Sequence, residues 1–439
     1  MAHMINWFIA AFKWVMLFFC WRFFPSKRVA LARKIHFFGP TLIKLGQILS
    51  VRPDIVGADV ALALTSLQDN VPPFPFIHAK RLLEAEFGAQ LAEIFLTIDE
   101  KPVAAASVAQ VHKAQTLDGK LVAVKILRPK IDQKFAIDLA LLRSGARIIA
   151  LFPRFRRLRP LDIVELLETT IRKELDLRLE AAAADALKIQ MKDEADFYVP
   201  AINWSLTRRK ILTLEWIDGV AIDEVEKLEE QGFNRRHLAE RLVVSFFNQA
   251  YRHGFFHADI HPGNLLVDRA GRIVPIDFGI MGILEEDTKL YVARILKGFV
   301  ERDYNAVAAV HFEAGYVPSK YSQQEFALAC RAIGEPIIGL PVQKISIANL
   351  LAQLFQVTEQ FSMPTQPQLL LLQKSLVILE AVGAKLYPEV NLWTLAEPWV
   401  RQWAKEQLSP KAEICREISR IRRLFLEWIS DKEHSSKKI

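Results

Sequence analysis

His257-Ala258-Asp259-Ile260-His261-Pro262-Gly263-Asn264-Leu265-Leu266-Val267, followed after a short hairpin by Ile276-Asp277-Phe278-Gly279, is the stretch on which the reading of this chain turns. An Asp, an Asn five residues on and a second Asp about a dozen further suit phosphoryl transfer. One carboxylate can position a nucleophile or take its proton. The amide oxygen and the other carboxylate are hard donors of the kind that hold Mg²⁺ on phosphates. Gly263 and Gly279 permit the backbone turns. A competing reading makes His257, Asp259 and His261 a transition-metal site, but Pro262-Gly263 marks a loop there rather than a continuing strand.

Working upstream, Val122-Ala123-Val124-Lys125 puts a lysine on an apolar strand, where it can neutralise phosphate oxygens if a buried glutamate holds it. The candidates lie on a helix expected over 161–192, which carries Glu174, Asp176 and Glu180. Each piece alone has a plainer explanation, a strand or a solvated helix face. In the order strand-Lys, helix-Glu, H-x-D-x-x-x-x-N, D-F-G they specify a kinase-like fold. Two features depart from an ordinary kinase. Ala104-Ala105-Ala106-Ser107 stands where a glycine-rich loop would precede the lysine strand, and its Cβ atoms restrict the approach to phosphates. Before the fold comes Lys44-Leu45-Gly46-Gln47, then Ser50, Arg52 and Asp54, a cluster with no place in an ordinary kinase lobe.

Coarse patterning agrees. Helix is expected over 42–68, interrupted near Pro53, and over 79–92, with Pro72, Pro73 and Pro75 between them. Strands are expected over 103–115 and 121–127 around the turn Leu117-Asp118-Gly119-Lys120, then over 198–204 and 210–216. A helix is expected over 131–151. Beyond Asp218-Gly219 the chain reads as helical, apart from two short strands near Leu265 and Ile273. Strands early and helices late make an α+β, two-lobed order.

The chain has 439 residues, a formal charge of +7 from 57 basic and 50 acidic side chains, and 51% apolar residues. That excludes a disordered, collagenous or disulfide-stapled chain. Its three cysteines, Cys20, Cys330 and Cys415, are too scattered for a thiolate metal site and read as buried or idle thiols. Residues 5–24 carry nine aromatics, among them Trp7, Trp14 and Trp21 at seven-residue spacing, and Lys27, Arg28, Arg33 and Lys34 follow. Aromatics beside bases suit a helix lying at an anionic lipid interface. Nucleic-acid binding does not account for the charge, which is spread over several patches without a recognised module.

Together these residues resemble the UbiB family of atypical kinases, from about Arg33 to Trp403. The most specific marks are K-x-G-Q at Lys44 to Gln47, the alanine loop at Ala104 to Ser107, and E-x-D at Glu174 and Asp176. The stretch from Gln366 to Trp393 also resembles the family's C-terminal region. The resemblance implies an α+β, protein-kinase-like two-lobed fold with an N-terminal helical extension and a helical C-terminal lobe. Its parts would be an aromatic membrane-interface helix (1–25), the extension with K-x-G-Q (26–97), an N-lobe (98–217) and a C-lobe with a helical extension (218–439). ATP and Mg²⁺ are the implied cofactors. Lys44, with Gly46 and Gln47, would pair with Glu174 and Asp176 and occlude the place of a peptide substrate. Lys125 would pair with Glu180 and touch the α and β phosphates. Ala104, Ala105, Ala106, Ser107, Glu215 and Ile217 would complete the ATP site, Asp259 would take the catalytic-base position, and Asn264 and Asp277 would bind Mg²⁺.

By the same resemblance the chain hydrolyses ATP in support of ubiquinone synthesis rather than phosphorylating proteins. It would work at the cytoplasmic face of a bacterial inner membrane, peripheral or anchored through its N-terminus. Anionic membrane lipids, isoprenoid quinone precursors and other ubiquinone-biosynthesis enzymes are its implied partners. Many bacterial members finish with a transmembrane hairpin, whereas this sequence stops at Ser435-Ser436-Lys437-Lys438-Ile439 after a basic helix bearing Arg416, Arg420, Arg422 and Arg423. Two other functions stay open. H-x-D-x-H-P-G-N also resembles the catalytic loop of choline and aminoglycoside kinases, which would make this a small-molecule kinase. The alanine loop equally suits a non-catalytic, nucleotide-sensing scaffold or a protein that extracts lipid precursors.

Overall fold

The computed structural model describes residues 39–50, 71–152, 159–338, 366–389 and 392–407, with isolated positions at 60, 64 and between 357 and 364. The aromatic segment expected over 1–25 and the basic C-terminal helix lie outside the described residues. The chain divides into two compact units. One comprises the described residues up to Ala221 together with Gly263–Met281, the other Ile222–Pro262 and the described residues from Gly282 onward.

The first unit opens with α1 (Pro40–Ser50), α2 (Phe76–Phe87) and the short α3 (Leu91–Ile94). Then come β1 (Phe95–Ile98), β2 (Ala104–Ala105), β3 (Ala109–Thr116) and β4 (Leu121–Leu127). Helices α4 (Ile131–Ala150), α5 (Pro160–Glu174) and α6 (Leu177–Gln190) precede β5 (Ile211–Glu215) and β6 (Gly219–Ala221). The main sheet is antiparallel in the order β1-β3-β4-β5, with β2 on β3. Period-two alternation on β4 buries Val122, Val124 and Ile126 in a core with Ala79, Leu83, Phe95 and Ile211, which turns Lys125 to the opposite face.

The helix expected over 161–192 is two helices. Asp176 ends the run by capping α6, accepting the Arg178 backbone N–H at 3.2 Å, while the Leu177 N–H leaves for Arg209 O at 2.9 Å. Residues 198–204 do not form a strand. Within them Ile202 makes a single bridge to Leu214, as Phe197 just before them does to Ile273, and a 3-10 turn capped by Asn203 follows. Pro200 interrupts any longer pairing.

A buried polar latch holds the proline-rich connector to this sheet. Gln110 Oε1 accepts the Phe74 N–H at 3.0 Å and its Nε2 donates to Phe74 O at 3.3 Å. Those bonds fix the amide orientation, so Nε2 also donates to His112 Nε2 at 2.8 Å, and His112 Nδ1–H donates to Asp99 O at 2.7 Å. The imidazole is neutral by geometry, and burial, against the pull of the Asp99 carbonyl, holds it below the ordinary histidine value. Burial does the same to His311 in the second unit. For both, the unfolded chain binds the proton more readily than the folded one. Stability is therefore present above about pH 6.5 and lost as pH falls below it, by at most ~1.4 kcal/mol per pH unit for each group. His112→Gln is expected to flatten the fall in unfolding free energy between pH 7 and pH 5. An unchanged slope in denaturant titrations would exclude His112 as a source of acid sensitivity.

The second unit contains α7 (Val225–Glu230) and α8 (Arg235–Phe247), which runs into a π-turn over Asn248–His253, then β7 (Phe255–His257). The hairpin β8 (Leu265–Asp268) and β9 (Ile273–Pro275) returns to the first unit, where β8 pairs with β6. After β10 (Met281–Ile283) come α9 (Glu286–Val300), α10 (Tyr304–Glu313), α11 (Gln323–Ile338), α12 (Pro367–Leu386) and α13 (Leu392–Gln407). Tyr304, Val307, Phe326, Cys330 and Phe361 form one core, with the Cys330 thiol pushed by burial up to about 12. Trp399, on α13, stacks on Trp403 and donates its indole N–H to Asn248 Oδ1 at 2.7 Å.

Strands β6, β7 and β10 escape a sequence reading because three residues are too few to show a period. β10 lies beside β7 with no room to spare: a Cβ on Gly282 would stand 2.2 Å from the Phe256 ring, which is wholly buried. Gly282→Ala is expected to cost about 1–3 kcal/mol by overpacking. A thermal unfolding midpoint equal to that of the parent chain would contradict this.

Candidate functional site

In the first unit the strand-lysine, the helix-glutamate and the D-F-G aspartate converge. Lys125 Nζ lies 2.6 Å from Glu180 Oε1 and 2.8 Å from Asp277 Oδ2. Glu180 comes from the first turn of α6, and its Oε1 also accepts the Phe278 N–H at 3.3 Å. Asp277 Oδ1 accepts the Gly279 N–H at 3.0 Å. Asn264, at the foot of β8, accepts the Ile276 N–H on its main-chain oxygen at 3.0 Å, which places it beside the segment carrying Asp277.

One ammonium thus serves two carboxylates. Burial opposes the Lys125 charge, but Asp277 and Glu180 outweigh it and hold the lysine above its ordinary value. Burial, against the pull of Lys125, holds Glu180 above the usual carboxylate range. The Lys125 and Glu180 side chains are 15% and 7% exposed and Asp277 is 42% exposed, so the triad opens at Asp277. A carboxylate at an open edge, and an asparagine whose main chain pairs with the residue before it, are of the hard-donor types that Mg²⁺ takes.

The alanine loop is a tight hairpin on the sheet. β2 pairs Ala104 with Val111 and Ala105 with Gln110, and the Ala106 N–H closes the turn on Ala109 O at 2.8 Å. Arg128 Nε donates to Ala106 O at 2.9 Å. The Val103 and Ala106 N–H groups are spent within the hairpin, on Val111 O and Ala109 O. The Ser107 hydroxyl is buried with no hydrogen-bond partner among the described residues, an orphaned donor that a phosphate oxygen would satisfy. Of the two residues after β5's core, Glu215 uses its carboxylate internally, accepting from Tyr198 OH at 2.6 Å and Ala201 N at 3.0 Å. Burial and that bond push the Tyr198 phenol up to about 12. Both bonds to Glu215 go to Oε2, which ties that oxygen into the sheet, and Ile217 follows half-buried.

The K-x-G-Q lysine lies on α1. Lys44 Nζ meets Glu174 Oε1 at 2.8 Å, with the two side chains 9% and 12% exposed. Thr41 Oγ1 donates to Asp138 on α4 and helps dock the same helix. Gly46 is buried within α1, and Gln47 Oε1 is buried without a partner among the described residues. Asp176 does not join Lys44, contrary to expectation. Arg178 grips it with Nε at 2.9 Å and Nη2 at 2.7 Å and holds its carboxyl below the usual range. The reason is the helix break: as the cap of α6, Asp176 turns toward the start of its own helix, while Glu174 ends α5.

In the second unit Asp259 follows β7. The Gln249 side chain from the π-turn accepts the His257 N–H at 3.1 Å, and His257 Nδ1 accepts the Asp259 N–H at 3.1 Å. The loop is thus held through its backbone, a use of a π-turn common near functional sites. Lys374 on α12 reaches Asp259 Oδ1 at 3.4 Å. Sequence motifs did not single out this lysine. The available signal was that it is the one charged residue between Pro367 and Leu379.

Comparisons with known proteins find relatives along most of the chain. The profile of the ABC1 atypical kinase-like domain matches residues 66–311, and that of the UbiB helical domain matches 330–391. A protein of Marinobacter nauticus named "Probable protein kinase UbiB" is 40% identical over 90% of this chain and 74% of its own length. One of the same name from Pseudomonas entomophila is 41% identical over 94% and 78%. The solved structure of Rv3197 from Mycobacterium tuberculosis, in complex with erythromycin, aligns with a TM-score of 0.52 at 27% identity over 80% of this chain and 90% of that one. A kinase-like triad, an alanine hairpin in place of a glycine loop and a Lys44–Glu174 clasp, joined to these matches over nine-tenths of the sequence, make the chain a member of the UbiB family of atypical kinases, a family implicated in ubiquinone biosynthesis.

Proposed function

We propose that this chain binds and hydrolyses Mg-ATP at a membrane surface in support of ubiquinone synthesis. The observation that carries the reading is Lys125 shared between Glu180 and Asp277. A lysine held charged in this way offers its ammonium to phosphate oxygens, and the two carboxylates keep it from wandering. Asp277 and Asn264 would hold Mg²⁺, which when bound neutralises charge on the phosphates. Ser107 would donate its hydroxyl to a phosphate oxygen. Asp259 would orient the attacking water and accept its proton. The Lys44–Glu174 clasp supports hydrolysis over protein phosphorylation, since it fastens α1 where the family resemblance puts a peptide substrate.

The membrane part of the reading rests on the aromatic and basic residues of 5–34. No helix among the described residues is long and apolar enough to cross a membrane. Isoprenoid quinone precursors and other enzymes of the same synthesis are the proposed partners, at the cytoplasmic face of a bacterial inner membrane. The test is phosphate release from ATP with Mg²⁺ or with EDTA, with and without anionic liposomes. Release that needs Mg²⁺ and rises with liposomes is expected. No release under any condition overturns hydrolysis. Phosphate found by mass spectrometry on an added phenolic or isoprenoid acceptor would make the chain a small-molecule kinase instead.

A further inference from the structure

The Lys374–Asp259 pair lies within the second unit and is formed by segments 115 residues apart. Lys374 interrupts an apolar helix. Leu369, Leu370, Leu371 and Leu372 precede it, Leu376, Val377, Ile378 and Leu379 follow, and its side chain is only 10% exposed. Leu372, Ser375, Leu379, Val382 and Leu386 form the buried stripe of α12, and Lys374 borders that stripe. An ammonium at such a place loses most of its hydration and calls for a carboxylate to answer it. The carboxylate that does is Asp259, 31% exposed, the group assigned to the reacting water.

The contact is long for a charge-assisted bond, 3.4 Å, and it is the single polar contact of Lys374 among the described residues. A lysine whose task was to staple α12 would close to about 2.8 Å. One that directs a carboxylate can do so at this distance. The loop backbone is already fixed by His257 and Gln249, so what Lys374 adds is control of the Asp259 side chain.

We propose that Lys374 is a positioning residue for Asp259, aiming its carboxylate for proton acceptance, and that the UbiB helical domain is thereby part of the catalytic apparatus. This rests on the ATP-hydrolysis reading. The experiment compares steady-state ATP hydrolysis by the full chain, Lys374→Met, Lys374→Arg and Asp259→Asn, with thermal unfolding of each. Lys374→Met is expected to lower kcat about 100-fold, as a misaimed catalytic group does, with KM for ATP changed less than about threefold. Lys374→Arg, which keeps the cation, is expected to recover at least about tenfold of that loss. A kcat for Lys374→Met at or above the parent value, a loss confined to KM, or an arginine variant no better than methionine each overturns the proposal. If the methionine variant does not fold, a folded arginine variant with the kinetics of Asp259→Asn overturns it, and one near the parent rate supports it. A parent chain that hydrolyses no ATP, or an Asp259→Asn variant with full activity, overturns the underlying reading instead.

Discussion

Lys125→Met is expected to destabilise the protein by about 3 kcal/mol or more at pH 8, and by clearly more than Glu180→Gln does. The asymmetry follows from the triad. Removing the Glu180 charge leaves Lys125 paired with Asp277, whereas removing Lys125 strands a buried Glu180 carboxylate near a second negative charge. The variant carries its own pH signature. Without the ammonium, burial and Asp277 both raise the Glu180 pKa, so the folded state binds a proton more tightly than the unfolded state. Stability then returns as pH falls toward 5 and is lost as pH rises. Urea titrations at pH 5 and pH 8 check this. Equal losses at both values, or a larger loss for Glu180→Gln, would refute the buried-triad account.

Asp277→Asn is expected to do the reverse, removing activity while sparing the fold. Its side chain is 42% exposed and the Lys125–Glu180 pair remains, so the stability change should stay within about 1 kcal/mol. Mg-dependent ATP turnover should fall about 10³-fold or more, because the substitution removes the one negative charge among the proposed metal donors, which also balances Lys125. Turnover and calorimetric ATP binding, each across a Mg²⁺ titration, give the readout. An asparagine variant that keeps parental turnover would remove Asp277 from the proposed site. The two substitutions differ in one respect that decides between structure and chemistry: Lys125→Met loses both, Asp277→Asn only one.

Much of this arrangement was legible in the linear order of residues. Lys125 declared itself by standing in Val122-Ala123-Val124, and Asp259, Asn264 and Asp277 by a spacing that few other chemistries require. Residues 121–127 were read as a strand with the ends the structure has. Errors arose where a single side chain overrides propensity. Asp176 sits in a stretch rich in helix formers, and only its bond to the Arg178 N–H turns one expected helix into two. That break turned Asp176 from the Lys44 clasp to Arg178, while Glu174 is the acid that meets Lys44. Residues 198–204 have strand composition, but pairing needs a continuous neighbour and they find only a single bridge.

Local pattern was enough to name the kinase-like fold and the family, because a catalytic loop must keep its residues at short, fixed separations along the chain. By itself it left Glu174, Asp176 and Glu180 open as partners of Lys125, since three acids within seven residues of a helical stretch look alike, and it was the family resemblance that named Glu180, the acid the folded chain brings there. Nor could it join Lys374 to Asp259. Ion pairs between distant segments depend on where helices pack, and a lone lysine in a leucine-rich run carries no partner's address in its neighbours. Packing decided both pairings, because a desolvated charge is tolerated only where the folded chain brings its counter-charge.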